Sequence, residues 1–292
     1  MNLKKILISL TVLLSCLTVF SQENIEYLGV LQLNDSSFIS YRINLTRKKD
    51  SLFGYSVTDF GGPFETKSLV KGEYNEETND LSFEENGIVY TKSPVNHYDF
   101  CFIHFKGTMR KLNQNKRIKG SFEGRYPDGT GCINGKIELM GFEKIAKKAE
   151  RVDKKIQRLK KLSDDKKKQI SVAKTLDTLK MNRIKKNEVL SIFSSAAKAK
   201  IIIYDAGKED GDLINLSVDG KLILENFTVL KKHKVLEISL KNKKTTVTIE
   251  ALNVGTSAPN TVKVEVIDNK NFIKTVTDLD AGDHASIDIL KK

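Results

Sequence analysis

The sequence holds no tryptophan, four prolines, four histidines and three cysteines in 292 residues. Each shortage excludes something. The histidines (His97, His104, His233 and His284) are scattered, and no His-Glu-x-x-His zinc hydrolase motif occurs. Gly-x-Ser-x-Gly is missing, and so is a phosphate-cradling Gly-x-x-x-x-Gly-Lys-Ser/Thr loop. Gly129-x-Gly131 followed by Gly135 misses the dinucleotide fingerprint by one residue and runs into a strand pattern, not a helix. His104 sits among aromatics, where a structural role is expected, and the acid pair Glu84 and Glu85 reads as a solvated face. No catalytic residue is therefore assigned, and the chain reads as a non-enzyme. Beyond residue 20 there is no long apolar run, which excludes a further transmembrane helix.

The first residues do carry a pattern. Lys4 and Lys5 precede an apolar run over 6–20, broken only by Ser9, Thr11, Ser15, Cys16 and Thr18. About fifteen residues is short for a permanent membrane helix and suits the core of a signal peptide. Val19 and Ser21 fit the small-residue positions before a cut, so 1–21 is expected to be a signal peptide cleaved before Gln22. An uncleaved anchor is one alternative. Lipidation at Cys16 is another, although Leu14 fits a lipoprotein box poorly. The expected location is secreted, or periplasmic and outer-membrane associated. Outside the leader, Cys101 and Cys132 form the one cysteine pair. In an oxidising compartment such a pair reads as a disulfide; two buried free thiols are the alternative.

Residues 22–141 alternate apolar and polar side chains in short runs: 27–33, 38–45, 52–57, 68–74, 88–91, 98–105, 118–126 and 132–139. Asn34-Asp35-Ser36, Gly61-Gly62-Pro63, Asn86-Gly87 and Asp128-Gly129 supply the breaks. The expectation is an antiparallel meander, closed as a small barrel or folded as a sandwich. Strand 98–105 is apolar on both faces and should be central, with Cys101 tied to the last strand of the domain.

Residues 142–197 switch period. Ile145, Ala149, Val152, Ile156 and Leu159 recur at steps of four and three, a helix with one apolar seam. Ser163 is a plausible cap for a second helix, continued by Ile170, Ala173, Leu176 and Leu179. The seam keeps heptad spacing for about two heptads, a short coiled-coil signal. Over 143–200 nineteen Lys or Arg stand against seven Asp or Glu, so this basic helical linker or hairpin holds the entire net charge of +12. Without interleaved aromatics it offers an anionic surface unspecific attraction and implies no specific nucleic acid.

Residues 198–292 return to short strands separated by Gly, Asn and Asp, the size and rhythm of a β-sandwich. The chain as a whole is thus expected to be mainly β with a helical middle. Within its C-terminal part, Asp205-Ala206-Gly207-Lys208-Glu209-Asp210-Gly211-Asp212 directly follows a strand. A hard cation needs several oxygens on a sharply bending backbone, so Asp205, Asp210 and Asp212 are candidate Ca²⁺ ligands. A plain surface loop is the alternative.

That loop, with Asn253-Val254-Gly255 leading to Ala258-Pro259-Asn260-Thr261, resembles a C-terminal module of secreted Bacteroidota proteins. The resemblance covers about a third of the chain. It implies an extracytoplasmic β-sandwich with no established activity. Where the module has Pro-Pro, this chain has Ala258-Pro259.

The leading expectation is an exported, non-enzymatic binding or scaffold protein, calcium-stabilised, whose partner is a carbohydrate, an envelope component or another protein. An extracytoplasmic carbohydrate hydrolase and an inhibitor or immunity-type protein are its rivals.

Overall fold

The structure is a computed structural model. It describes residues 23–34, 37–94, 97–113, 116–159, 182–205 and 209–292, plus isolated positions between 160 and 181. The expected leader and most of the second helix lie outside the described residues.

Eight strands form the N-terminal unit: β1 (Glu23–Leu33), β2 (Phe38–Lys48), β3 (Ser51–Thr58), β4 (Thr66–Asn75), β5 (Asp80–Thr91), β6 (Phe102–Thr108), β7 (Arg117–Arg125) and β8 (Gly131–Gly141). Each pairs antiparallel with the next, and β8 returns to β1, with Leu31 opposite Ile137. The meander is therefore a closed barrel. Closure removes every free edge, and eight strands enclose a space that side chains can fill. Period-two burial fills it: Tyr41, Ile43 and Leu45 of β2 point inward while Arg42 and Asn44 face out. Phe83 stacks on Phe105 with ring centroids 4.9 Å apart. The Tyr74 hydroxyl donates to the Met109 carbonyl at 2.9 Å, so its buried polar end is satisfied.

Cys101 and Cys132 are joined, with Cα atoms 6.0 Å apart, a separation well suited to a disulfide. Cys101 precedes β6 and Cys132 lies on β8, so the bond spans β7, where a Cβ on Gly124 would sit 2.5 Å from the Cys101 sulfur. A side chain at that position would displace the disulfide.

After the barrel comes α1 (Phe142–Gln157). Of its apolar seam only Ala149 is buried; Val152 is 44% exposed. No helix among the described residues is long and apolar enough to cross a membrane.

The remaining strands are β9 (Asn182–Lys185), β10 (Val189–Ser194), β11 (Lys198–Tyr204), β12 (Leu213–Val218), β13 (Lys221–Thr228), β14 (Lys234–Ser239), β15 (Lys244–Ala251), β16 (Lys263–Ile267), β17 (Phe272–Asp278) and β18 (His284–Lys291). They make two sheets, β13-β12-β15-β18-β10 and β14-β11-β16-β17-β9, over one core that includes Ile201, Leu216, Val247, Val264 and Ile287.

Two features depart from the sequence reading. Strands β9 and β10 fall inside 142–197, the segment expected to be helical, because the β-branched and aromatic run Val189-Leu190-Ser191-Ile192-Phe193 finds a sheet to complete. They pair parallel with β17 and β18, one on each sheet. Asn86-Gly87, expected to end a strand, instead lies within β5 as an irregularity in its pairing with β4, with Gly87 at φ +149°. Turn and bulge use the same residue chemistry, and here the bulge redirects the strand. Beyond it β5 stays paired with β4 but exchanges its other neighbour, β6, for β10, with Tyr90 opposite Ile192 and Thr91 opposite Ser191. One continuous sheet thus runs from the barrel into the two-sheet unit, and Ile88, Phe102 and Phe193 form a small core between them.

Candidate functional site

A cleft lies beside the joint, next to the irregularity in β5. Barrel strands β2, β3 and β4 present outward-facing residues to the start of β9 and to β17. Two neighbouring chambers result. The smaller, about 260 Å³, is bounded by Arg42, Tyr55, Lys67, Asn182 and Phe272. The larger, about 330 Å³, shares Tyr55, Lys67 and Phe272 and has an apolar wall of Leu69, Ile88 and Val89 rimmed by Ser195 and Lys270.

The smaller chamber is short of partners. Asn182 is 7% exposed, and neither its Nδ2 nor its Oδ1 has a hydrogen-bond partner. The Nε of half-buried Arg42 is also unpaired. Buried polar groups are nearly always satisfied, and each one left open costs about 1–3 kcal/mol. Three such atoms on two residues that line one cavity form a local deficit. Lys67 lies with its ammonium 3.8 Å from the Tyr55 ring centroid. Burial, with the Arg42 charge beside it, pulls the Lys67 ammonium down to about 8. Lys274 is tied to Glu265 at 2.9 Å, so it walls the chamber with its charge already answered.

A larger cavity of about 1000 Å³ opens beside β10. Its two carboxylates are already ion-paired, Glu188 with Lys92 at 3.2 Å and Asp288 with Lys244 at 3.1 Å. No polar atom lining it is among the buried unpaired ones.

The Glu84–Glu85 pair expected on a solvated face is split by the strand's alternation. Glu84 faces out beside Lys71 at 2.9 Å and His104 at 3.3 Å. Glu85 points into the barrel, 4% exposed, and accepts from Tyr41 Oη at 3.1 Å, from the Ile103 N–H at 3.0 Å and from Ser56 Oγ. Burial raises its carboxyl above the usual range while those three donors pull it back.

The acidic loop lies at the far end of the two-sheet unit. Asp205 and Asp212 are buried and Asp210 is half-buried; residues 206–208 are outside the described set. Burial, with Asp210 and Asp205 nearby, raises the Asp212 carboxyl. The second loop clasps this one. Asn253 accepts from the Leu213 N–H at 2.8 Å and donates to the Gly211 carbonyl at 2.9 Å. The Thr261 N–H donates to Asp212 Oδ2 at 3.0 Å, and the Thr256 N–H to the Asp210 carbonyl at 3.0 Å. Asp212 Oδ1 and the Oδ1 of fully buried Asn260 have no donor. Among the described residues no three His, Cys, Asp or Glu side chains converge as a ready-made metal cage. A cation there would rely on Asp212, Asn260 and backbone carbonyls as much as on the other acids.

Sequence reasoning missed Arg42, Lys67 and Asn182. An arginine and a lysine on outward strand positions carry no local mark, and Asn182 lies about 140 residues further along the chain. No family model matches the chain, and searches of curated proteins and of solved structures likewise return no match.

Proposed function

We propose that the protein is an exported, non-enzymatic binding protein that seats its ligand in the cleft between the barrel and a C-terminal β-sandwich domain. The observation that carries this reading is that Arg42 and Asn182, which line one cavity at the joint, hold three unpaired side-chain atoms. A structural polar cluster completes itself, whereas a binding site leaves groups for the ligand to complete. The residues bounding the two chambers include cations and no carboxylate, which favours binding over two-carboxylate hydrolysis. The disulfide supports an oxidising compartment and hence export.

The test is a thermal-shift screen of envelope and extracellular polysaccharide fragments against the wild type and Ser195→Trp. Ser195 is exposed, so tryptophan there fills the larger chamber without disturbing a core. At least one fragment should raise the wild-type Tm and fail on the variant. A shift equal in both, or no shift with any fragment, contradicts the reading.

Calcium at the acidic loop is a separate part of the proposal. Asp212 Oδ1 and Asn260 Oδ1 are buried acceptors without donors, the need a hard cation meets. Millimolar calcium should raise the Tm by several degrees over a chelator-treated sample, and Asp212→Asn should abolish the difference. A shift below about one degree rules calcium out.

A further inference from the structure

We infer that the smaller chamber holds the acid group of an anionic saccharide, gripped by Arg42 and Asn182. This rests on the joint being the ligand site and adds the class of ligand.

The chemistry of the open atoms narrows the choice. Arg42 Nε and Asn182 Nδ2 are donors, and Asn182 Oδ1 is an acceptor. The two donors and the Lys67 ammonium suit an oxyanion, because charge-assisted hydrogen bonds are the strong ones. Asn182 Oδ1 needs a hydrogen from the ligand. A fully ionised carboxylate has none to give, and neither does a phosphodiester. A uronic acid carries both functions within one ring, its carboxylate and its hydroxyls.

The larger chamber continues the argument. Leu69, Ile88 and Val89 give it an apolar wall suited to the C–H face of a pyranose. Ser195 and Lys270 stand on its rim within reach of hydroxyls. The cleft therefore has an acid-binding end and an amphipathic end, matching adjacent residues of an acidic chain. The depressed Lys67 ammonium agrees with this, since burial and the Arg42 charge outweigh the pull of Glu65, and a bound anion would offset both.

The test is isothermal titration of the purified protein in 0.15 M salt, about physiological ionic strength. The probes are galacturonic acid trimer, galactose trimer, inorganic phosphate and phosphatidylglycerol vesicles. The variants are Arg42→Gln, Asn182→Leu, Ser195→Trp and, as a charge control on exposed α1, Lys154→Gln. The inference expects the acidic trimer to bind at least about tenfold more tightly than the neutral one. Arg42→Gln and Asn182→Leu should each lose that preference while melting no lower than the wild type, and Lys154→Gln should keep it. Equal binding of both trimers, blocked by Ser195→Trp but untouched by Arg42→Gln, overturns the inference and leaves the cleft as the ligand site. Arg42-dependent binding of phosphate or vesicles without the trimer overturns the saccharide. An equal loss in Lys154→Gln overturns specific recognition. No binding by any probe, with Ser195→Trp also without effect in the fragment screen, overturns both readings.

Discussion

Inside the barrel, buried Glu85 accepts from three donors, one each from β2, β3 and β6. At the joint, Asn182 is nearly as buried and accepts and donates nothing through its side chain, while Arg42 Nε beside it is open. The same chain completes one polar group and leaves the other. Burial alone therefore does not distinguish a structural polar residue from a functional one. The count of unmet hydrogen bonds does, because a fully satisfied buried network specifies a fold and an incomplete one costs stability with no structural return.

Four outcomes can break or sharpen this contrast. The largest effect belongs to the barrel's covalent tie. Replacing Cys101 and Cys132 by serine should lower stability by about 3–4 kcal/mol for a loop of this length, read as a shifted denaturant midpoint. Glu85→Ala should cost on the order of 3 kcal/mol, since it strands Tyr41 Oη and the Ile103 N–H inside the barrel. Asn182→Leu should go the other way, being neutral or stabilising by about 1 kcal/mol in ligand-free protein. A loss as large as that of Glu85→Ala would make Asn182 a structural group and remove the contrast.

The fourth outcome is a pH dependence. With Lys67 at about 8 in the fold against 10.5 as the ordinary value, the unfolded chain holds a proton across that interval that the folded chain has released. Stability from this group therefore rises as pH increases from about 8 toward 10.5, and the penalty is fully present below. Arg42→Gln removes one of its two causes and should flatten the rise. Chemical denaturation at pH 7.5 and 9.5 of wild type and variant checks the sign.

Much of the fold was legible in the sequence, and most of the cleft was not. Alternation at period two named the barrel strands because one face of each must meet a filled interior, as Tyr41, Ile43 and Leu45 do. The cysteine pair was legible because the third cysteine, Cys16, falls in the expected leader. Asn86-Gly87 misled because a turn and a bulge ask the backbone for similar freedom, and only the partner strand decides between them. Strands β9 and β10 were hidden because the expected helical segment was carried on to residue 197 by the basic charge run. In the C-terminal loops the conspicuous asparagines and the threonine proved to be braces: Asn253, Asn260 and Thr261 each bond the acidic loop or its flanking strand. Arg42 and Asn182 meet only through tertiary structure, so no local pattern could pair them.

The central claim is that Arg42 Nε and the Asn182 amide are left open for a ligand's acid and hydroxyl groups. Nitrogen-15 NMR of those two side chains during titration with galacturonic acid trimer tests it most directly. Both resonances should move together and saturate at one ratio; resonances that stay in place while the trimer binds would contradict it.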